Sequence, residues 1–526
     1  MVHLPNELWL EIASYHVVPE MACTHASRQT LIALCLVSKQ LCAAIQPLLY
    51  HDFTKFARPS AAYRLATKDS EWLHKYYQRD IRTFRTVSKT TRLEKFFRTL
   101  INRPDLAAEI RYLSIEEFHD TNAIPYWFNG LYDKLPLNRT ISTLFARALK
   151  NSAAIGLLSR TPQITWDKHL RDGIEGVEVA LLLILVPQLR SLSLQSIETT
   201  IDSHVQELCD TVLGAAPLYS PLKQPSKIPV GNRSQLQRPL EIFPVLRSLK
   251  LQSRCNKDYR DSLQLRHCQN LLSLPNFTHF VGSCLQDSLD PLGQLSYHSL
   301  AHLRHVELKH CKAIGPCLEA FLSQCTGLRS LKIDSDHAFS PWGNIPSIST
   351  NFFTSLQTMT NTLERLILML PEYENTNVLD LSAFGQLQYV EVDMSLMIRD
   401  DYSSCIDELL PPGIQELYVR RAGHEIVSHL ESLLPFSADN PHLADLNSVR
   451  IALWDEDDDD LMSELSEIEI KAMDHMFNFD FEIEGVYSHW WAHHYETDSD
   501  LESKQDSEDF GPEPFQSDYD EEGDGN

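Results

Sequence analysis

An apolar residue, two others, an apolar residue, one other and a third apolar residue: this pattern recurs between positions 105 and 454. Ile110, Leu113 and Ile115 fit it, as do Leu189, Leu192 and Leu194, then Leu246, Leu249 and Leu251. A weaker copy has Phe277 and Phe280 with Gly282 in the third place. Leu303, Val306, Leu308; Leu328, Leu331, Ile333; Leu363, Leu366, Leu368; and Leu387, Val390, Val392 continue the series. Ile414, Leu417, Val419 and Leu446, Val449, Ile451 close it, and four of the steps between copies are 26, 25, 24 and 27 residues. Alternation of this kind predicts a short strand with one apolar face in each unit. The rest of each unit must return the chain to the next strand, and units that cannot bury their apolar edge alone must stack.

Other stretches carry the helical period. Leu93, Phe96, Phe97 and Leu100 share a face over 91–102, which Arg103-Pro104 ends; 141–158 and 174–186 follow the same spacing. At the front, Leu8, Ile12 and Tyr15 form one stripe of a helix opened by Leu4-Pro5-Asn6-Glu7. A connector over 16–28 leads to a second helix, 29–44, with Leu34, Val37, Leu41 and Ile45 on one side and a stop before Pro47. Two helices this short are marginal in water alone, so further packing must come from the chain or from a partner.

These residues carry a resemblance. The run Leu4-Pro5-Asn6-Glu7-Leu8, then Ile12, Leu34-Cys35-Leu36-Val37-Ser38-Lys39 and Pro47-Leu48-Leu49-Tyr50, resembles an F-box. His16 stands where that family continues with Leu, and the connector is longer than usual. The 24–27-residue period resembles leucine-rich repeats, of the irregular kind that follows F-boxes in many fungal proteins. Cys311 falls where such repeats place Asn or Cys, and Asp336 takes that place in the next unit. The implied fold is α/β: an N-terminal helical F-box, then an irregular leucine-rich-repeat solenoid with parallel strands on the concave face and helices outside. The segments are 1–56 (F-box), 57–104 (helical linker), 105–454 (solenoid, with a proline-rich mobile insertion at 217–239), 455–495 (capping segment) and 496–526 (disordered acidic tail). A second, shorter insertion is expected over 335–350.

Charge is distributed unevenly. The chain has 46 Lys and Arg against 72 Asp and Glu, a formal net charge of −26. From Asp455 onward there are 26 acids and two bases, leaving 44 basic and 46 acidic groups in the body. A near-neutral body argues against nucleic acid, which calls for a basic surplus. The start lacks the basic and apolar regions of an export signal, and the longest strongly apolar run, 179–186, is far shorter than the ~20 residues of a membrane span. A cytoplasmic or nuclear location is expected, with the eleven cysteines as reduced thiols and no membrane partner.

Catalytic fingerprints are missing: there is no phosphate-binding glycine loop, nucleophile elbow or His-Glu-x-x-His motif. No enzymatic activity, cofactor or metal is expected. Cys311, Cys317 and Cys325 are spaced too widely for structural zinc, and His489, His493 and His494 read as polar flanks of Trp490-Trp491. The chemistry is that of a surface. Residues alternating outward from the strands include Arg365, Ile367, Met369, Tyr389, Tyr418 and Arg420, a mixture suited to gripping a target protein. The resemblance implies a non-catalytic substrate receptor of a cullin–RING (SCF) ubiquitin ligase. In it Leu4, Pro5, Leu8, Ile12, Leu34, Val37, Ile45, Pro47 and Leu48 meet a Skp-type adaptor, and through it the cullin–RING scaffold. The alternative is a repeat scaffold acting outside any ligase, its front helices only capping the array.

Overall fold

The protein is described from a computed structural model. It covers residues 6–15, 25–55, 92–118, 175–196, 243–253, 263–264, 272, 274, 276–283, 285–286, 300–309, 316–335, 350–370, 378–398, 406–433, 443–453, 459–474 and 477–483. The insertion at 217–239, the 141–158 helix, Cys311, Asp336, the three C-terminal histidines and the 496–526 tail lie outside these residues.

The front of the chain forms three helices, α1 (Asn6–Ser14), α2 (His25–Val37) and α3 (Lys39–Tyr50). Two were expected. The expected second helix breaks at Ser38, whose extended backbone (φ −157°, ψ 159°) puts its hydroxyl in reach of the Leu41 amide at 3.1 Å. That is a serine N-cap, and it starts a new helix. Pro47 does not stop α3 but lies inside it, and the helix continues to Tyr50. The missing proline N–H leaves one helical bond unmade, a cost that the packing of Ile45, Leu48 and Leu49 outweighs.

Among the described residues a sheet of twelve strands follows. Its members are β1 (Asp52–Lys55), β2 (Tyr112–Phe118), β3 (Ser191–Ser196), β4 (Ser248–Ser253), β6 (His279–Ser283), β8 (His305–Lys309), β9 (Ser330–Asp334), β10 (Arg365–Met369), β11 (Tyr389–Asp393), β12 (Glu416–Ala422), β13 (Ser448–Leu453) and β14 (Asn478–Ile483). Every neighbouring pair is parallel. Two short strands, β5 (Leu263–Gln264) and β7 (Leu285–Gln286), pair separately. Each strand expected from the repeating triplet is present, and the triplets align: Leu249 with Phe280, Phe280 with Val306, Val306 with Leu331. Gly282 stands in register between Leu251 and Leu308, as its place in the weak copy predicts.

Two strands were not expected. β1 adds to one end of the sheet, and Asp52–Lys55 belongs to the segment read as helical module. β14 adds to the other end, with Phe479 beside Val449 and Phe481 beside Ile451, so part of the expected cap is one more strand.

Helices run between the strands: α4 (Arg92–Asn102), α5 (Pro104–Ala107), α6 (Glu175–Leu185), α7 (Pro316–Gln324), α8 (Thr350–Gln357), α9 (Ile406–Leu409), α10 (Glu425–Leu433) and α11 (Asp459–Asp474). The first and third match the expected 91–102 and 174–186. Their apolar faces and the inward strand residues make one continuous core, from Phe96 and Phe97 through Phe280 and Phe321 to Leu465 and Phe479. This is a solenoid-like α/β stack. Gly327 is required by close approach between units: a Cβ there would lie 2.1 Å from the Ala301 carbonyl oxygen. The helical module has its own small core of Ala13, Leu31, Leu41 and Ile45. It joins the sheet through Tyr50 and Phe53, both stacked on Phe96, with centroids 6.2 and 3.6 Å apart. Among the described residues no helix is long and apolar enough to cross a membrane.

Candidate interaction surfaces

The helical module turns much of its apolar surface outward. In α1 the inward residues are Ala13 and, in part, Trp9, while the stripe of Leu8, Ile12 and Tyr15 lies in the open. Leu8 and Ile12 each keep 43% of their surface exposed. In α2, Leu31 is buried and Leu34 half-buried, yet Leu36 is 82% and Val37 69% exposed. Ile32 and Leu10 are exposed as well. The break at Ser38 accounts for this: once α2 ends there, Val37 no longer shares a face with Leu41 and Ile45.

Of the residues expected to meet an adaptor, Leu8, Ile12 and Val37 are therefore accessible, and Leu34, Pro47 and Leu48 partly so. Ile45 is fully buried in the module's core and holds the helices together rather than offering contact area. Leu4 and Pro5 lie outside the described residues. Leu36, the most exposed large apolar residue among those described, was missed as a site. Its signal was an apolar residue lying off the stripe that Leu31 and Leu34 define.

The second surface is the sheet face opposite the core. Its expected target-binding residues do come together on β10 to β12, but in a different state. Ile367 and Met369 are 5% and 6% exposed, and so are not open contact area. Ile367 sits in register between Lys332 and Glu391, long charged side chains whose stems shelter apolar neighbours. Met369 is touched by the Arg420 guanidinium. The polar members are linked. The Arg365 guanidinium lies 4.0 Å from the centre of the Tyr389 ring, and the Tyr389 hydroxyl donates to Glu391 Oε2 at 2.9 Å. Burial and then the Glu391 charge push the Tyr389 hydroxyl up to about 12. Arg420 Nη1 is 3.4 Å from Glu391 Oε1. The Tyr418 hydroxyl donates to Glu482 Oε1 at 2.5 Å, which ties β12 to β14, and burial and that carboxylate raise its pKa.

At the ends of these strands a bulge redirects one more arginine. The register of β12 against β13 shifts between Val419 and Ala422, and Arg421 has a left-handed φ of 53°. Its guanidinium thereby donates to the Leu370 carbonyl at 3.1 Å and lies 3.7 Å from Asp393 Oδ2. Asp393 is almost fully buried, accepts the Leu370 amide at 2.6 Å through Oδ2, and has no hydrogen bond to Oδ1 among the described residues. Burial dominates its protonation and pushes the carboxyl up to about 7, against the pull of the Leu370 amide and of Arg420. Asp393 fastens the strand-end loop of the preceding unit. Alternation along the strand gives no sign of this role, because burial cannot be read from it.

Neither surface has the makings of a metal centre: among the described residues no three His, Cys, Asp or Glu side chains are placed to hold an ion. The Cys325 thiol is buried and pushed up by desolvation, far from nucleophilic. His302 and His305 do not converge: His302 faces the Leu272 carbonyl at 3.2 Å, while His305 stacks on His279. A search of family models finds no match to the chain, and a search of curated proteins finds none either.

Proposed function

We propose that the protein is the non-catalytic substrate-recognition subunit of an SCF-type cullin–RING ubiquitin ligase. Its helical module is an F-box that binds a Skp-type adaptor. Its sheet is an irregular leucine-rich-repeat array whose open face takes the target protein. The supporting observation is the state of the front helices: Leu8, Ile12, Leu36 and Val37 stay exposed beside a core of four buried residues. A soluble protein that leaves so much apolar surface on so small a module gains by covering it with a partner. The motif residues quoted above give that partner its class. The receptor itself supplies no acid, base or nucleophile. Holding the target beside the transferring enzyme raises its effective concentration, and that is the whole of its contribution to the reaction.

The test is co-purification of the full chain with a Skp-type adaptor, compared with a Leu36→Asp, Val37→Asp variant. Retention by the native chain and loss by the variant support the proposal. One observation favours the rival scaffold: α3 runs into β1, and Tyr50 and Phe53 pack on Phe96, so the module also caps the first end of the sheet. A chain that binds no adaptor at micromolar concentration is that scaffold.

A further inference from the structure

One column of charge belongs to neither surface. The residues that immediately precede β2, β3, β4, β6, β8 and β9 are Arg111, Arg190, Arg247, Thr278, Arg304 and Arg329. Their backbones are joined in succession: the amides of Arg190, Arg247, Thr278, Arg304 and Arg329 donate to the carbonyls of Arg111, Arg190, Arg247, Thr278 and Arg304 at 2.8 to 2.9 Å. Strands lie about 4.8 Å apart, so the six positions form a rim of about 24 Å. The column ends there, since Glu364, Gln388, Gln415 and Asn447 precede β10 to β13.

The guanidiniums are unevenly occupied. Arg111 donates to the Ala108 carbonyl, Arg304 to the Gly327 carbonyl, and Arg329 is 3.5 Å from Glu364. Arg190 and Arg247 are exposed, and among the described residues neither side chain has a hydrogen bond or ion pair. Lys250, also exposed, adds a cation on β4 three residues beyond Arg247. Like charges one strand apart repel, so the rim gains from an anionic strand laid along it.

We propose that this arginine column is the docking surface for the chain's own acidic C-terminal segment, residues 496–526. That segment carries 13 acids and a single base, Lys504, in a protein whose body is close to neutral. It is tethered within reach. The last described strand, β14, lies five strands from β9 and ten from β2, or about 24 to 48 Å. The 43 residues beyond Ile483 can extend to roughly 140 Å. Tethering supplies an effective concentration that a free acidic peptide would match only at about millimolar levels.

The experiment uses the full-length chain and a zero-length carbodiimide, which couples a carboxylate to an amine in contact with it. Mass spectrometry is expected to find Lys250 joined to carboxylates of 505–526. The yield is expected to fall at least fivefold when salt rises from about 0.1 to about 1 M, as the screening length shortens from ~10 to ~3 Å. It is expected to vanish in an Arg190→Glu, Arg247→Glu, Arg329→Glu variant. A second variant neutralises every acidic side chain of 505–526 (Asp506→Asn, Glu508→Gln, Asp509→Asn, Glu513→Gln, Asp518→Asn, Asp520→Asn, Glu521→Gln, Glu522→Gln, Asp524→Asn), leaves the sheet untouched, and is expected to lose the link equally. Failure of Lys250 to couple, coupling that persists in the arginine variant, or coupling only between differently isotope-labelled molecules overturns the proposal. So does a single-stranded RNA oligonucleotide that binds the native chain as tightly as the tail-neutralised one, which would make the column a nucleic-acid surface.

Discussion

The helical module and the sheet handle the same kinds of residue in opposite ways. Along the sheet the apolar triplets from Ile110 to Ile451 are almost entirely enclosed, and the largest exposed apolar residues lie elsewhere. In the module four residues are enclosed while Leu8, Leu10, Ile12, Tyr15, Ile32, Leu36 and Val37 are open. A stack closes its core by adding units, each new strand covering the one before. Three short helices have no such recourse and must leave a face unpaired. The sheet encloses its own apolar triplets, and the module leaves apolar side chains in the open, the surface that the proposed adaptor would cover.

That contrast can be broken most directly by a pair of substitutions. Phe321 is fully buried on α7 and meets Phe280 edge to face at 6.2 Å. Phe321→Ala should cost ~3–5 kcal/mol of local stability, seen as faster hydrogen exchange across β6 to β9. Leu36→Ser should change stability by less than about 0.5 kcal/mol yet weaken adaptor binding at least tenfold. If Leu36→Ser destabilises the chain as Phe321→Ala does, the module's open face is part of a core and the contrast fails. Next in size is Gly327→Ala. Its added methyl meets the Ala301 carbonyl and forces apart the units of β8 and β9, at ~1–3 kcal/mol. The module should not feel it.

The sheet was legible because a period of two with inward Leu, Ile and Val leaves little choice of face or register. β14 carries the same template in Met476, Phe479 and Phe481, and its surrounding aromatics disguised it as a cap. β1 satisfies only two places of three, Tyr50 and Phe53, with Lys55 in the third, and so passed unnoticed. In the module, periodicity found the apolar residues but not which way they face. Leu8, Ile12 and Tyr15 make as good an inward stripe as an outward one until the Trp9 and Ala13 side is seen to be taken. On the target face, outward alternation was right for Arg365 and Tyr389 and misleading for Ile367 and Met369. Neighbouring strands, not the strand itself, decide whether an outward residue is open.

A smaller effect separates the two regions by pH. Asp393 is a buried titrating group of the sheet. Its folded pKa of about 7 lies above the roughly 3.9 of an unfolded aspartate, so its contribution to stability is full below about pH 4 and is lost as pH rises through 7. Asp393→Asn keeps an oxygen for the Leu370 amide and removes the charge. Thermal unfolding at pH 5 and pH 8 should show the variant less sensitive to this rise than the native chain, and more stable at pH 8. An unchanged pH response would mean that Arg421 holds the carboxylate charged. Adaptor binding should be unaffected at either pH.

The least expected change is at Ser38, and it sharpens the contrast most. Its hydroxyl caps α3 through the Leu41 amide, and its carbonyl accepts the Cys42 amide at 2.9 Å. Ser38→Ala removes one cap, worth ~1 kcal/mol. Because the module's core is separate from that of the sheet, the loss should stay local. Amides of 41–45 should exchange about fivefold faster, a factor equivalent to ~1 kcal/mol, while those of β9 to β11 keep their rates. The break at Ser38 also turns Val37 outward, so a looser cap lets α2 and α3 merge and draws Val37 toward the Leu41 side. Adaptor affinity should then fall two- to fivefold, less than for Leu36→Ser. Equal acceleration in the strands would show that module and sheet unfold as one unit, and that the open face of the first is stabilised by the second rather than left for a partner.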